Sequence, residues 1–82
     1  MMTKKEIFVR LQQLLVETFE LEEGSISLES HIYNDLDFDS LDAVELAVRL
    51  ETETGIKLQE EDLRAIRTIA DVVDTIHQKI NP

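Results

Sequence analysis

Three stretches of this 82-residue chain open in the same way. In Thr3–Glu6, Asp39–Asp42 and Thr68–Asp71, an oxygen-bearing side chain is followed three positions later by an acid. The first side chain can accept a backbone N–H left free in an opening helical turn, and the acid can reach back to the N–H of the capping residue. Behind each pair the apolar residues recur at helical spacing. They are Ile7, Phe8, Leu11, Leu14, Leu15 and Phe19, then Val44, Ala47 and Leu50 flanked by Leu46, then Ile69, Val72, Val73, Ile76 and Ile80. Three capped starts, each followed by a 3.6-residue period, commit the chain to packing helices on helices.

The first helix is predicted from Lys4 to about Glu20, and the second from Ser40 to about Thr54, with Gly55 as the residue that closes it. Gln59-Glu60-Glu61-Asp62 reads as the acidic first turn of a short third helix reaching about Ile66, and the fourth is predicted from Ile69 to about Lys79. Asn81-Pro82 is expected to fray. Leu21 to Asn34 forms a long connection in which Gly24 and Ser25 mark a turn and Ser27, Glu29 and Ser30 break any period. Ile26, Leu28, Ile32 and Tyr33 are the residues expected to pin it to the core. The expected fold is an all-α, small four-helix bundle, with three longer helices, a short third one and a long first loop, forming one domain over residues 1–82.

A chain of this length buries only about 60% of its unfolded surface, so its core must be thin. It has no cysteine, which removes disulfides and thiolate metal sites, and any thiol chemistry must arrive on a borrowed group. Neither a basic segment leading into an apolar run nor a stretch long enough to span a bilayer is visible, so the expectation is a cytoplasmic protein, or a mature organellar one, without membrane insertion. Eighteen acids against eight bases give a net charge of −10. That balance argues against nucleic-acid binding, which needs clustered cations, and favours basic protein partners met in salt-sensitive encounters. Asp35 to Asp62 holds ten acids against only Arg49 and Lys57, so the field centres on the second helix.

The segment Asp35–Leu50, DLDFDSLDAVELAVRL, concentrates the chemistry. With Asp39 as the cap, Ser40 falls at the first helical position and its hydroxyl should face outward, away from the stripe of Val44, Ala47 and Leu50 with Leu46. An exposed hydroxyl at the positive end of a helix dipole is a site that tolerates a phosphate. The plain alternative is a capped surface helix, since serine is favoured near helix starts. Leu41 and Val48 are placed to remain outside beside Asp42 and Glu45, an apolar spot framed by carboxylates that suits a basic partner.

Other chemistries fail on their requirements. Asp35-x-Asp37-x-Asp39 starts like a calcium loop but has Ser40 and Leu46 where glycine and glutamate are needed. A hydrolase serine needs a histidine base and an oxyanion hole, and His31 and His77 stand in no supporting motif. His31 alone makes a poor metal site and is expected to pack in the loop or lie at the surface. No metal ligand set and no catalytic group is assigned.

Asp39-Ser40-Leu41-Asp42, followed by Val44-Glu45-Leu46 and preceded by Asp35-Leu36, resembles the modification site of acyl carrier proteins, and the likeness runs from about Leu11 to Ile76. The resemblance implies a non-catalytic carrier. A 4′-phosphopantetheine arm taken from coenzyme A would sit on Ser40, with Asp39 and Leu41 completing the signature and acyl groups carried as thioesters. A phosphopantetheinyl transferase, working with Mg²⁺, would attach the arm. Leu41, Asp42, Glu45 and Val48 match positions that meet partner enzymes, namely ketosynthase-, acyltransferase-, reductase- and dehydratase-type enzymes with basic docking patches. Ile32, Leu46, Leu50, Leu58, Leu63 and Ile66 match the wall of an acyl pocket. A monomer is the expected state.

The chain departs from the family pattern at five positions. Asp37 stands where many members have glycine, Phe38 and Leu63 are bulkier than usual, and Arg64 and Arg67 add positive charge. These changes leave open whether the pathway is general fatty-acid synthesis or a specialised polyketide or polyene synthesis. Two alternatives stand beside this reading: a carrier for aminoacyl or D-alanyl groups, and an acidic helical interaction module without a prosthetic group.

Overall fold

The computed structural model describes residues 2–81, and the four predicted helices form with the spacing of their caps. Helix α1 spans Lys4–Phe19, α2 Ser40–Thr54, α3 Glu60–Ala65 and α4 Ile69–Ile80. All three predicted reciprocal caps are made. Thr3 Oγ1 accepts the Glu6 N–H at 3.2 Å while Glu6 Oε1 accepts that of Thr3 at 3.0 Å, and Thr68 and Asp71 exchange the same bonds at 3.2 and 3.1 Å. Helix α1 stops one residue before the predicted Glu20, which turns into the left-handed region at φ 56° and ends the helix. Gly55 closes α2 at φ 74°, a conformation that costs glycine nothing. Helix α4 runs one residue past the predicted Lys79. Asn81, expected to fray, instead donates from its backbone and its side chain to the His77 carbonyl, at 3.0 and 3.1 Å. Pro82 lies outside the described residues.

The core is built on α1 against α4. Leu11 and Leu15 meet Ile69, Val72, Val73 and Ile76, all at most 2% exposed. Helix α2 supplies only Leu46 and Leu50 as fully buried residues, and α3 supplies none. Arg10–Glu53 at 3.7 Å and Lys4–Asp74 at 3.1 Å tie α1 to its neighbours at the surface, and such exposed pairs add little. The pair that places α3 is Lys79–Asp62 at 3.0 Å. It is more buried than the others and joins the short helix to the last turn of α4.

The long connection contains a 3-10 turn at Glu23–Ser25, at the predicted turn position. Two of its four expected pins are corrected: Ile26 and Ile32 are buried, but Leu28 and Tyr33 are 43% and 40% exposed. Their places are taken by Leu36 and Phe38, both buried, with the Phe38 ring 4.7 Å from that of Phe19. Ser30, read from the sequence only as a break in the period, is buried. Its hydroxyl accepts the Ser27 N–H at 3.0 Å and donates to the Ser25 carbonyl at 3.1 Å. Backbone bonds then lash the loop to the entry of α4: Ile32 N–H to Arg67 O at 2.8 Å, Ile69 N–H to Ser30 O at 3.0 Å and Ala70 N–H to Leu28 O at 2.9 Å. His31 is a loop-packing residue, with Nδ1 accepting the N–H groups of Tyr33 and Asn34 at 3.3 and 3.2 Å.

The caps make stability depend on pH. The Thr68 N–H, with that of Arg67, holds the Asp71 carboxyl below the usual carboxylate range. The Gln59 N–H and the Lys79 ammonium do the same to Asp62, and the Thr3 N–H and hydroxyl to Glu6. A carboxyl with a depressed folded pKa binds protons more readily in the unfolded chain. Its stabilisation is therefore present above the unfolded value and is lost as pH falls through the folded one. An Asp71→Asn variant should melt below the parent at neutral pH. The gap should hold down to about pH 5 and close as pH drops through about 3.9 and below. Thermal melts of both proteins across that range check this, and a gap that does not change with pH would refute it.

Candidate functional site

Asp39 leaves the loop in an extended conformation, and α2 begins at the next residue. Asp39 Oδ1 accepts the Asp42 N–H at 2.8 Å, and Asp42 Oδ2 accepts the Asp39 N–H at 3.0 Å. Both carboxylates nearest Ser40 are thereby engaged by backbone donors, which offsets part of their repulsion toward an incoming phosphate. The residue before Phe38 lies in the left-handed region: Asp37 has φ 57°. Glycine adopts that conformation freely, and aspartate is among the few side chains that tolerate it, so the departure from the expected glycine leaves the turn intact. Two buried residues, Leu36 and Phe38, flank that turn, and the Phe38 N–H donates to Ile32 O at 3.1 Å. The approach to Ser40 is thus anchored two residues upstream.

Ser40 occupies the first position of α2 and is exposed. Among the described residues no side-chain hydrogen bond engages its hydroxyl, and its backbone N–H and that of Leu41 belong to the opening turn, whose donors have no partner within the helix. The site therefore combines an unencumbered nucleophilic oxygen, a helix N-terminus that favours phosphate, and an acidic surround.

Next to it on α2, Leu41 is 77% and Val48 56% exposed, both as predicted, and Asp42 and Glu45 lie beside them. Val44 is a correction. It was expected on the inward stripe and is 52% exposed. Leu41, Val44 and Val48 fall at i, i+3 and i+7 and form a second, outward apolar stripe, while Leu46 and Leu50 form the inward one with Ala43 and Ala47 half-buried beside them. The outward-facing apolar residue on α2 that the sequence does not single out is therefore Val44. The signal for it was this second period, hidden among the apolar residues of the first.

The six residues matched to an acyl pocket come together. Ile32, Leu46, Leu50, Leu58, Leu63 and Ile66 line one cavity between α2, α3 and α4, with Tyr33, Ala43, Ala47 and Val72 completing it. Its volume is about 20 Å³, room for about one water. Tyr33, Ala43, Ala47 and Leu63 are the less buried members of this lining and mark its outer side. Among the described residues no group of acids and histidines is placed to hold a metal ion, and no helix is long and apolar enough to cross a membrane.

Residues 9–76 match a family described as the phosphopantetheine attachment site, a span that contains the α2 start and the cavity walls. The chain is similar to an acyl carrier protein of Petrotoga mobilis, 34% identical over 80 residues that cover 98% of this chain and 94% of the relative. It is likewise similar to one of Coprothermobacter proteolyticus, 40% identical over 79 residues and 96% of each chain. The fold matches the crystal structure of an acyl carrier protein from Thermotoga maritima with a TM-score of 0.83, covering 95% of this chain and 91% of that one at 22% identity.

Proposed function

Since this chain belongs to the acyl carrier protein family, whose members bear substrates on 4′-phosphopantetheine and are not themselves catalysts, we propose that Ser40 Oγ holds the arm and that the protein delivers acyl thioesters to fatty-acid- or polyketide-type synthase enzymes. The observation that carries this reading is the exposed, unpartnered Ser40 hydroxyl at the first turn of α2, inside the family-matched span. In the loading step, Ser40 Oγ attacks the coenzyme A phosphorus nearest the pantetheine. A phosphodiester bond to the serine forms as the bond to 3′-phosphoadenosine 5′-phosphate breaks, and the hydroxyl proton passes to the transferase or solvent. This protein's part is to present the oxygen. Asp39 and Asp42 fix the first turn around it, and the free N–H groups beside it favour the new phosphate. The arm supplies the thiol that the chain lacks.

The wholly apolar side chains that line most of the α2–α3 cavity favour aliphatic acyl cargo over aminoacyl cargo, whose ammonium group would be costly to bury there. The outward stripe of Leu41, Val44 and Val48, framed by Asp42 and Glu45, fits a partner pocket edged with arginine or lysine, as the transferase and the synthase enzymes would offer. Incubation with coenzyme A, Mg²⁺ and an active broad-specificity transferase tests the proposal. One phosphopantetheine should be gained by mass, and none by Ser40→Ala. An unchanged parent mass, or a gain that persists in Ser40→Ala, overturns it.

A further inference from the structure

Tyr33 is the only tyrosine of the chain, and it does not pack as the phenylalanines do. Phe38 is buried and Phe8 and Phe19 are half-buried, whereas Tyr33 is 40% exposed. Its backbone is nonetheless fixed. The Tyr33 N–H donates to His31 Nδ1 at 3.3 Å, and the neighbouring Ile32 N–H donates to Arg67 O at 2.8 Å. Among the described residues no hydrogen bond engages the Tyr33 hydroxyl, although a phenol both donates and accepts. The residue stands on the outer side of the α2–α3 cavity. Of the ten residues on that lining, the other nine carry only aliphatic side chains, so the phenol is its one hydrogen-bonding side-chain group. Ala43 and Ala47, on the same outer side, lie roughly 4.5 and 10.5 Å past Ser40 along the α2 axis.

We propose that the Tyr33 hydroxyl is a specificity group for the cargo, hydrogen-bonding the oxygen on the β-carbon of 3-oxo- or 3-hydroxyacyl groups as they rest at the cavity mouth. This rests on the carrier reading above and narrows its substrate class to acyl chains oxygenated at the β-carbon. Three considerations select this cargo. The cavity is about 20 Å³, room for about one water, so with its walls in place only atoms close to the thioester settle at its mouth. A β-oxygen set against aliphatic side chains gives up its water and needs a partner, and Tyr33 is the only side chain of the lining that offers one. The phenol serves a ketone as donor and an alcohol as donor or acceptor, so both oxidation states fit it. In small-molecule sites generally, a few polar groups on an apolar wall fix orientation and choice. Because Tyr33 is partly exposed, water still satisfies its hydroxyl when the chain is saturated. The bond therefore favours oxygenated cargo without expelling saturated cargo. A single neutral hydrogen bond corresponds to about two- to tenfold in the retained fraction.

The experiment uses the full chain loaded at Ser40 with 3-hydroxybutanoyl-, 3-oxobutanoyl- or butanoyl-phosphopantetheine from the corresponding coenzyme A thioesters, with loading verified by mass. The chain has one tyrosine, so tyrosine ring NMR signals report Tyr33 alone. They should move further, relative to the unacylated arm-bearing form, with the two oxygenated cargoes than with butanoyl. Cleavage by hydroxylamine then measures how much of each cargo lies outside the cavity. Tyr33→Phe keeps the ring and removes only an oxygen without a partner in the protein, so the fold should survive. It should speed release of 3-hydroxybutanoyl by about two- to tenfold and leave butanoyl release unchanged. An equal effect on both cargoes, as from a phenol bonded to the thioester carbonyl that all cargo shares, overturns the proposal, and so does no effect on either. The ring signals need only the parent protein and stand as the test should Tyr33→Phe fail to fold; equal movement with all three cargoes overturns the proposal. Each of these results leaves the carrier reading standing, whereas failure to load at Ser40 overturns both.

Discussion

A Phe38→Ala variant is expected to lose a large share of the stability of this fold. The ring is 7% exposed and lies 4.7 Å from the ring of Phe19, at the point where the long connection turns into α2. Truncating a buried phenylalanine costs on the order of 3–5 kcal/mol, because transfer energy is lost and a cavity is left behind. A domain of this length has roughly 4–12 kcal/mol in total, so the variant approaches the unfolding threshold. At about 4 °C or more per kcal/mol, the melting temperature should fall by more than about 12 °C. Phe38→Leu keeps most of the apolar volume and should cost a smaller part of this. Circular dichroism melts of the three proteins decide the matter, and a fall below about 4 °C for Phe38→Ala would show that the ring does not anchor the loop. The consequence reaches the site, because Phe38 is two residues from Ser40. Its backbone bond to Ile32 and its contact with Phe19 hold the chain where Asp39 must turn into its cap.

Phe38 also marks the limit of what the sequence made legible. Helix starts are local events: Thr3 and Glu6, Asp39 and Asp42, Thr68 and Asp71 each carry both halves of their own cap, and the bonds form where the residues stand. Helix ends came out within a residue, since they turn on single left-handed positions such as Glu20 and Gly55. The loop obeys no local period. Whether Tyr33 or Phe38 is buried depends on where Phe19 and the entry of α4 lie, and neither is encoded near the loop itself. The same reason hid the burial of Ser30, whose hydroxyl serves the loop's own backbone, and the Lys79–Asp62 pair, which joins elements seventeen positions apart. Val44 failed differently. Its position was readable, but two apolar stripes share α2, and period alone does not say which one faces inward; the contacts of Leu46 and Leu50 do.

That outward stripe, with its acids, sets up the second large effect. The rate at which a phosphopantetheinyl transferase loads Ser40 should fall when the charge beside the stripe is reversed. Glu45→Lys replaces an acid next to Val44 and Val48. Its existing partner, Arg49 at 3.8 Å, is an exposed pair that contributes little to stability, so the fold should survive. Asp42 cannot be treated as freely, because its carboxylate accepts the Asp39 N–H; Asp42→Asn removes the charge and keeps an acceptor at the position. Electrostatic focusing changes association rates by factors of about 10 to 10³, so the double variant is expected to load at least about tenfold more slowly at low ionic strength. The defect should shrink as salt rises and the screening length falls from roughly 10 Å at 0.1 M toward 3 Å at 1 M. Glu17→Lys, the same charge change on exposed α1, is the control. If it slows loading as much as Glu45→Lys, the partner responds to the net charge of −10 and not to the α2 face. A large deficit for Glu45→Lys, little for Glu17→Lys, and convergence of the two at high salt would place the encounter on the surface formed by Leu41, Val44 and Val48. The carboxylates would then act chiefly on how fast partners arrive, and the apolar stripe on how long they stay.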